Sequence, residues 1–85
     1  MTKQEFGEVM EMLGGAYGAK FAQVDSAVAK MWYECLKDVE FQWIKRAAIQ
    51  WAQENKYPPT ISELRELAKK IEEQAYKSER VKKWQ

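Results

Sequence analysis

Cys35 is the only thiol in the chain, and a thiol becomes a nucleophile only when something beside it draws off its proton. The 85-residue sequence contains no histidine, which removes the commonest general base, the commonest zinc ligand and the usual switch near neutral pH. Cys35 lies between Met31 and Leu36 on an apolar stripe and reads as a packing residue. The acids are scattered over solvent-facing helical positions, and Glu72-Glu73 reads as a solvated face, not a metal site. Gly14-Gly15 with Gly18 follows no strand, so a helix stop explains the glycines without a bound phosphate. These residues predict no catalytic, metal or cofactor chemistry, and the expectation is a non-enzymatic protein that works by contact.

Two places carry residues suited to contact. Residues 1–68 hold eight Lys/Arg and ten Asp/Glu, whereas residues 69–85 hold six Lys/Arg and three Asp/Glu, so positive charge gathers at the C-terminal end. Within that end, Arg80, Val81, Lys82, Lys83 and Trp84 combine cations with a large ring and form the first candidate partner-binding segment. Trp43 is the second candidate. It falls beside the line of Ile44, Ala48 and Trp51, together with Gln50 and Glu54, and is expected at a partly exposed edge where an aromatic can anchor a partner or cover the core rim.

The same basic residues raise the question of nucleic acid. Lys69, Lys70, Lys77, Arg80, Lys82 and Lys83 could track phosphates while Tyr76 or Trp84 stacks on a base. Against this, the net charge is only +1, and Ile61-Ser62-Glu63-Leu64-Arg65-Glu66 would offer a groove two acids and one base. Direct nucleic-acid binding is therefore not expected.

The elements that must position these residues are helices. Thr2 and Glu5 have the spacing of a reciprocal cap, and Phe6, Val9, Met10 and Leu13 follow at helical intervals, which predicts a helix over about 3–13 closed by Gly14-Gly15. Residues 16–24 read as a loop pinned by Tyr17 and Phe21. Asp25 or Ser26 caps a second helix over 26–37 with Val28, Met31, Trp32, Cys35 and Leu36 on its apolar stripe. Asp38 caps a third over 39–54, whose face is Phe41, Ile44, Ala47, Ala48, Trp51 and Ala52.

Pro58-Pro59 cannot continue that helix, because each lacks an amide donor and crowds the preceding turn. Thr60 and Glu63 then restart the chain with a second reciprocal cap, and Ile61, Leu64, Leu67, Ala68 and Ile71 carry a fourth helix over 61–75. The expectation is an all-α, four-helix domain over 1–75 with a diproline corner, followed by a basic tail at 76–85 that is flexible or extends the last helix. A single cysteine, no apolar run of membrane-spanning length and no charged-then-apolar leader predict a cytoplasmic protein without a membrane partner.

One family has these parts in this order. Trp32-Tyr33-Glu34-Cys35-Leu36-Lys37-Asp38, the alanine-rich aromatic helix after it, and Lys56-Tyr57-Pro58-Pro59-Thr60-Ile61-Ser62-Glu63-Leu64 resemble the N-terminal domain of phage replicative-helicase loader and inhibitor proteins over roughly residues 2–75. The resemblance implies a small helical domain without enzymatic activity that binds the hexameric, DnaB-type helicase in its ATP-bound form. It implies that such binding holds ATPase and unwinding inactive and helps deliver the helicase to an origin-bound initiator protein, in the cytoplasm of a bacterial host. In that family the helicase contact depends on a C-terminal region beyond the folded domain. This sequence reaches only Gln85, so the counterpart expected here is the ten-residue basic tail. Two other classes stay open on the residues alone: a phage protein that blocks a different host machine by surface contact, and a weak DNA-binding helical domain.

Overall fold

A computed structural model of the chain describes the backbone of residues 1–21 and 25–83 and the side chains of residues 1–21 and 25–77. Four α-helices follow one another, α1 (Lys3–Tyr17), α2 (Ser26–Leu36), α3 (Phe41–Glu54) and α4 (Ile61–Lys83), with a single 3-10 turn at Gly18–Lys20 and no strand among the described residues. This is the expected all-α class.

The cap of α1 forms as its sequence predicts: Glu5 N donates to Thr2 Oγ1 at 3.1 Å and Thr2 N donates to Glu5 Oε1 at 2.8 Å. Its end does not. The helix passes through Gly14-Gly15 and stops at Gly18, whose φ of 56° lies in the region that favours glycine and whose N–H bonds to Gly14 O. An interior glycine costs only about 1 kcal/mol against alanine. The buried face of Phe6, Val9 and Leu13, continued by half-buried Tyr17, outweighs it. Tyr17 reaches across to the far end of α3, donating its hydroxyl to Asn55 O at 3.1 Å and Trp51 O at 3.3 Å. Of the expected 16–24 loop, residues 22–24 lie outside the described residues; Phe21 packs edge-on against Trp32 with ring centroids 5.9 Å apart.

Asp25 caps α2 through Val28 N at 2.9 Å. The predicted stripe is rotated in part. Trp32 and Leu36 are buried with Ala29 and Tyr33 beside them, whereas Met31 is 59% exposed and Val28 is also exposed, so Cys35 stands half-buried on the outer margin. The reason is Tyr33, which turns inward to meet Phe6 at 5.5 Å and donates its hydroxyl to Met1 O.

α3 begins two residues later than expected. Asp38 does not cap it; Glu40 occupies that position without a side-chain bond, and buried Val39 plugs the turn between α2 and α3. α3 is the central helix, packing against α1 on one side and α4 on the other. Ala47 and Ala48 are buried at this double contact, where small side chains let both neighbours approach.

After Asn55 the chain turns through Tyr57-Pro58-Pro59, held by Trp51 Nε1 donating to Tyr57 O at 2.8 Å, with Pro59 buried. The reciprocal cap of α4 is present: Thr60 N donates to Glu63 Oε1 at 2.9 Å, and Glu63 N to Thr60 Oγ1 at 3.3 Å. Leu64 and Ala68 are fully buried and complete the core. α4 does not stop at 75. It is 23 residues long, which at 1.5 Å per residue is about 34 Å, and the molecule extends 48 Å along its longest axis. No glycine or proline interrupts residues 61–83, and the basic residues from Lys77 onward complement the negative end of the helix dipole.

Candidate partner-binding surface

What α4 presents depends on how firmly its first half is held. Arg65 is the clamp. Its guanidinium meets Asp38 in a two-pronged ion pair, Nη1 to Oδ1 at 2.6 Å and Nη2 to Oδ2 at 2.7 Å, and Nη1 also donates to Cys35 O at 2.7 Å, near the α2 terminus. One side chain thus ties the start of α4 to the α2–α3 junction and satisfies a terminal carbonyl of α2. The Arg65 hydrogen bonds hold the Asp38 carboxyl at about 2, below its ordinary 3.8, and raise the Arg65 guanidinium in turn. Asp38, expected to cap α3, is therefore bonded to α4. The neighbouring pair Lys37–Glu34 at 2.7 Å is fully in water; its hydrogen bond lowers the Glu34 carboxyl and raises the Lys37 amine but joins residues of the same turn only.

Beyond Ala68 the inward stripe of α4 thins to Ile71 and Ala75, both half-buried. Tyr76 makes the last described aromatic contact, its ring 6.3 Å from that of Trp43 and tilted by 59°. The helical backbone continues for about two more turns and carries Arg80, Val81, Lys82 and Lys83 away from the stripe. Trp84 lies outside the described residues, as do the side chains of residues 80–83. The expected tail is thus a continuation of α4 as far as Lys83.

Trp43 differs from its sequence reading. It is 7% exposed and belongs to the core, with Ile44, Ala47 and Ala48 beside it. The helical wheel places it at an edge, but Tyr76 from the long α4 covers that edge. Its indole Nε1 is buried and has no hydrogen-bond partner, the one such side-chain atom among the described residues. An unpaired buried donor costs about 1–3 kcal/mol. Arg46 lies over the same ring, its guanidinium carbon 5.3 Å from the centroid.

Cys35, Glu72 and Glu73 stay apart from any constellation. Cys35 Sγ has Met31 Sδ at 4.0 Å, and no group of three or more potential metal ligands occurs among the described residues. No helix of the described residues is long and apolar enough to cross a membrane. Sequence reasoning missed both the Arg65 clamp and the Tyr76–Trp43 contact. The partners are 27 and 33 positions apart, and no local spacing announces a bond across that distance; the only signal was an arginine one residue past the buried Leu64.

Residues 1–65 match a family model for the N-terminal domain of the phage helicase loader and inhibitor protein. No curated protein and no solved structure matches the chain.

Proposed function

The chain belongs to the family of phage helicase loader and inhibitor proteins, and on that premise we propose that it is a non-enzymatic replication accessory protein acting on a hexameric, DnaB-type helicase. It binds the helicase, holds ATPase and unwinding inactive, and assists loading at an origin, with an origin-bound initiator as second partner. The match over residues 1–65 carries this reading. The 20 residues after the match contain six of the chain's 14 basic residues and two aromatics, on a helix that the Arg65 clamp aims.

In mechanism, the body of α1 to α3 is a rigid mount and the end of α4 is the contact element. Arg80, Val81, Lys82, Lys83 and Trp84 supply it: the cations meet an acidic surface of the helicase, and Val81 and Trp84 provide the apolar anchors. A helix end formed before contact spares part of the ordering entropy, while a footprint of five residues keeps release easy. Release is what a loader requires.

The test is co-elution of the chain with the hexameric helicase, with and without an ATP analogue. The intact protein is expected to co-elute with the nucleotide-bound hexamer, and a variant ending at Tyr76 is expected not to. Undiminished co-elution of that variant would remove residues 77–85 from the contact, and no co-elution of the intact chain would remove the helicase.

A further inference from the structure

The Trp43 donor has no task within the described fold. A buried indole N–H is normally matched to a carbonyl or carboxylate, and here none is in reach. The groups around it define what would fit. Tyr76 is the ring packed on Trp43, and it is 50% exposed, so turning its side chain outward uncovers the indole. Arg46 stands over the Trp43 ring, exposed, and makes no ion pair among the described residues. From Phe41 to Gln53, α3 has no acid, and Lys45 lies beside Arg46 on its exposed side.

We propose that Trp43, Arg46 and Tyr76 form a binding site for an extended, carboxylate-bearing peptide segment of a protein partner, separate from the end of α4. A backbone carbonyl of the segment accepts from Trp43 Nε1, a carboxylate pairs with Arg46, and Tyr76 moves from lid to wall. Glu72 and Glu73 lie one turn before Tyr76 on α4 and hold the acidic side of the segment towards α3. A peptide fits better than nucleic acid: a carbonyl is slim enough to reach a buried N–H, and two cations make a poor phosphate track.

The experiment is a titration followed through the indole N–H signals in a two-dimensional nitrogen–proton spectrum, with the Trp43 signal identified by its loss in Trp43→Phe. The probes are a ten-residue polyglutamate peptide, a ten-residue polylysine peptide and a ten-residue single-stranded DNA. Polyglutamate is expected to move the Trp43 signal downfield to saturation while the other two leave it in place. Arg46→Gln, an exposed change, weakens the response about tenfold, the loss of one charge-assisted bond. Tyr76→Ala, which removes the lid, strengthens it. A Trp43 signal unmoved by polyglutamate, moved equally in Arg46→Gln, or moved by the DNA would overturn the proposal. None of these outcomes depends on the helicase.

Discussion

Removing the Arg65 guanidinium should loosen α4 from the body, and the size of the effect follows from the geometry. In Arg65→Gln both prongs to Asp38 and the bond to Cys35 O are lost. Taken whole, the lowering of Asp38 from 3.8 to about 2 equals about 2.4 kcal/mol. Water reaches both partners, with Asp38 55% and Arg65 36% exposed, and screening reduces the pair to about 1 kcal/mol. The lost bond to the Cys35 carbonyl adds about 1 kcal/mol. Arg65→Gln is thus expected to cost about 2 kcal/mol and to lower the melting temperature by roughly 10 °C, and Asp38→Asn about half of each.

The pH dependence has a definite sign. Because the folded value of Asp38 lies below its unfolded value, the native state binds fewer protons, and the stabilisation is present above the ordinary 3.8 and disappears as pH falls through about 2. Urea unfolding of wild type, both single variants and the double variant at pH 7 and pH 2.5 provides the assay. The coupling energy should be about 1 kcal/mol at pH 7 and about a third of that at pH 2.5. A coupling below about 0.3 kcal/mol at pH 7, or one that does not change with pH, would refute the clamp.

Three further tests address the elements behind the clamp. Gly14→Ala is expected to stabilise by about 0.5–1 kcal/mol and Gly18→Ala to destabilise by about 1 kcal/mol, because Gly14 is helical with open space at its Cβ while Gly18 has φ +56°; thermal melts giving the same sign for both would move the end of α1. Thr60→Ala should cost about 1 kcal/mol in urea unfolding through loss of the reciprocal cap, and no change would mean that the diproline corner alone starts α4. Leu64→Ala, at a fully buried site, should cost about 2–5 kcal/mol; less than about 1 kcal/mol would place α4 outside the core.

The helices were legible where a local rule fixes them. Thr2 with Glu5 and Thr60 with Glu63 each form the cap that their spacing requires, and Pro58-Pro59 ends α3 for want of a donor. Legibility failed where tertiary packing decides. Gly14-Gly15 remains helical because Tyr17 is tied to the end of α3, Asp38 leaves the cap of α3 for Arg65, and Trp43 is sealed by a residue 33 positions away. The residues with no evident task in the sequence, Arg65 and Tyr76, are those that couple α4 to the body. The family was readable from the Trp32–Asp38 and Lys56–Leu64 segments, both of which fall within the matched residues 1–65.

The central claim is that an ordered helical mount arrests a ring-shaped motor through its basic end. The direct measurement is the ATPase rate of the hexameric helicase titrated with the intact chain and with the variant ending at Tyr76. The rate is expected to fall to a low plateau with the intact chain and to stay at its starting value with the shortened one. A rate untouched by the intact chain, at concentrations where both are folded by circular dichroism, would contradict that claim.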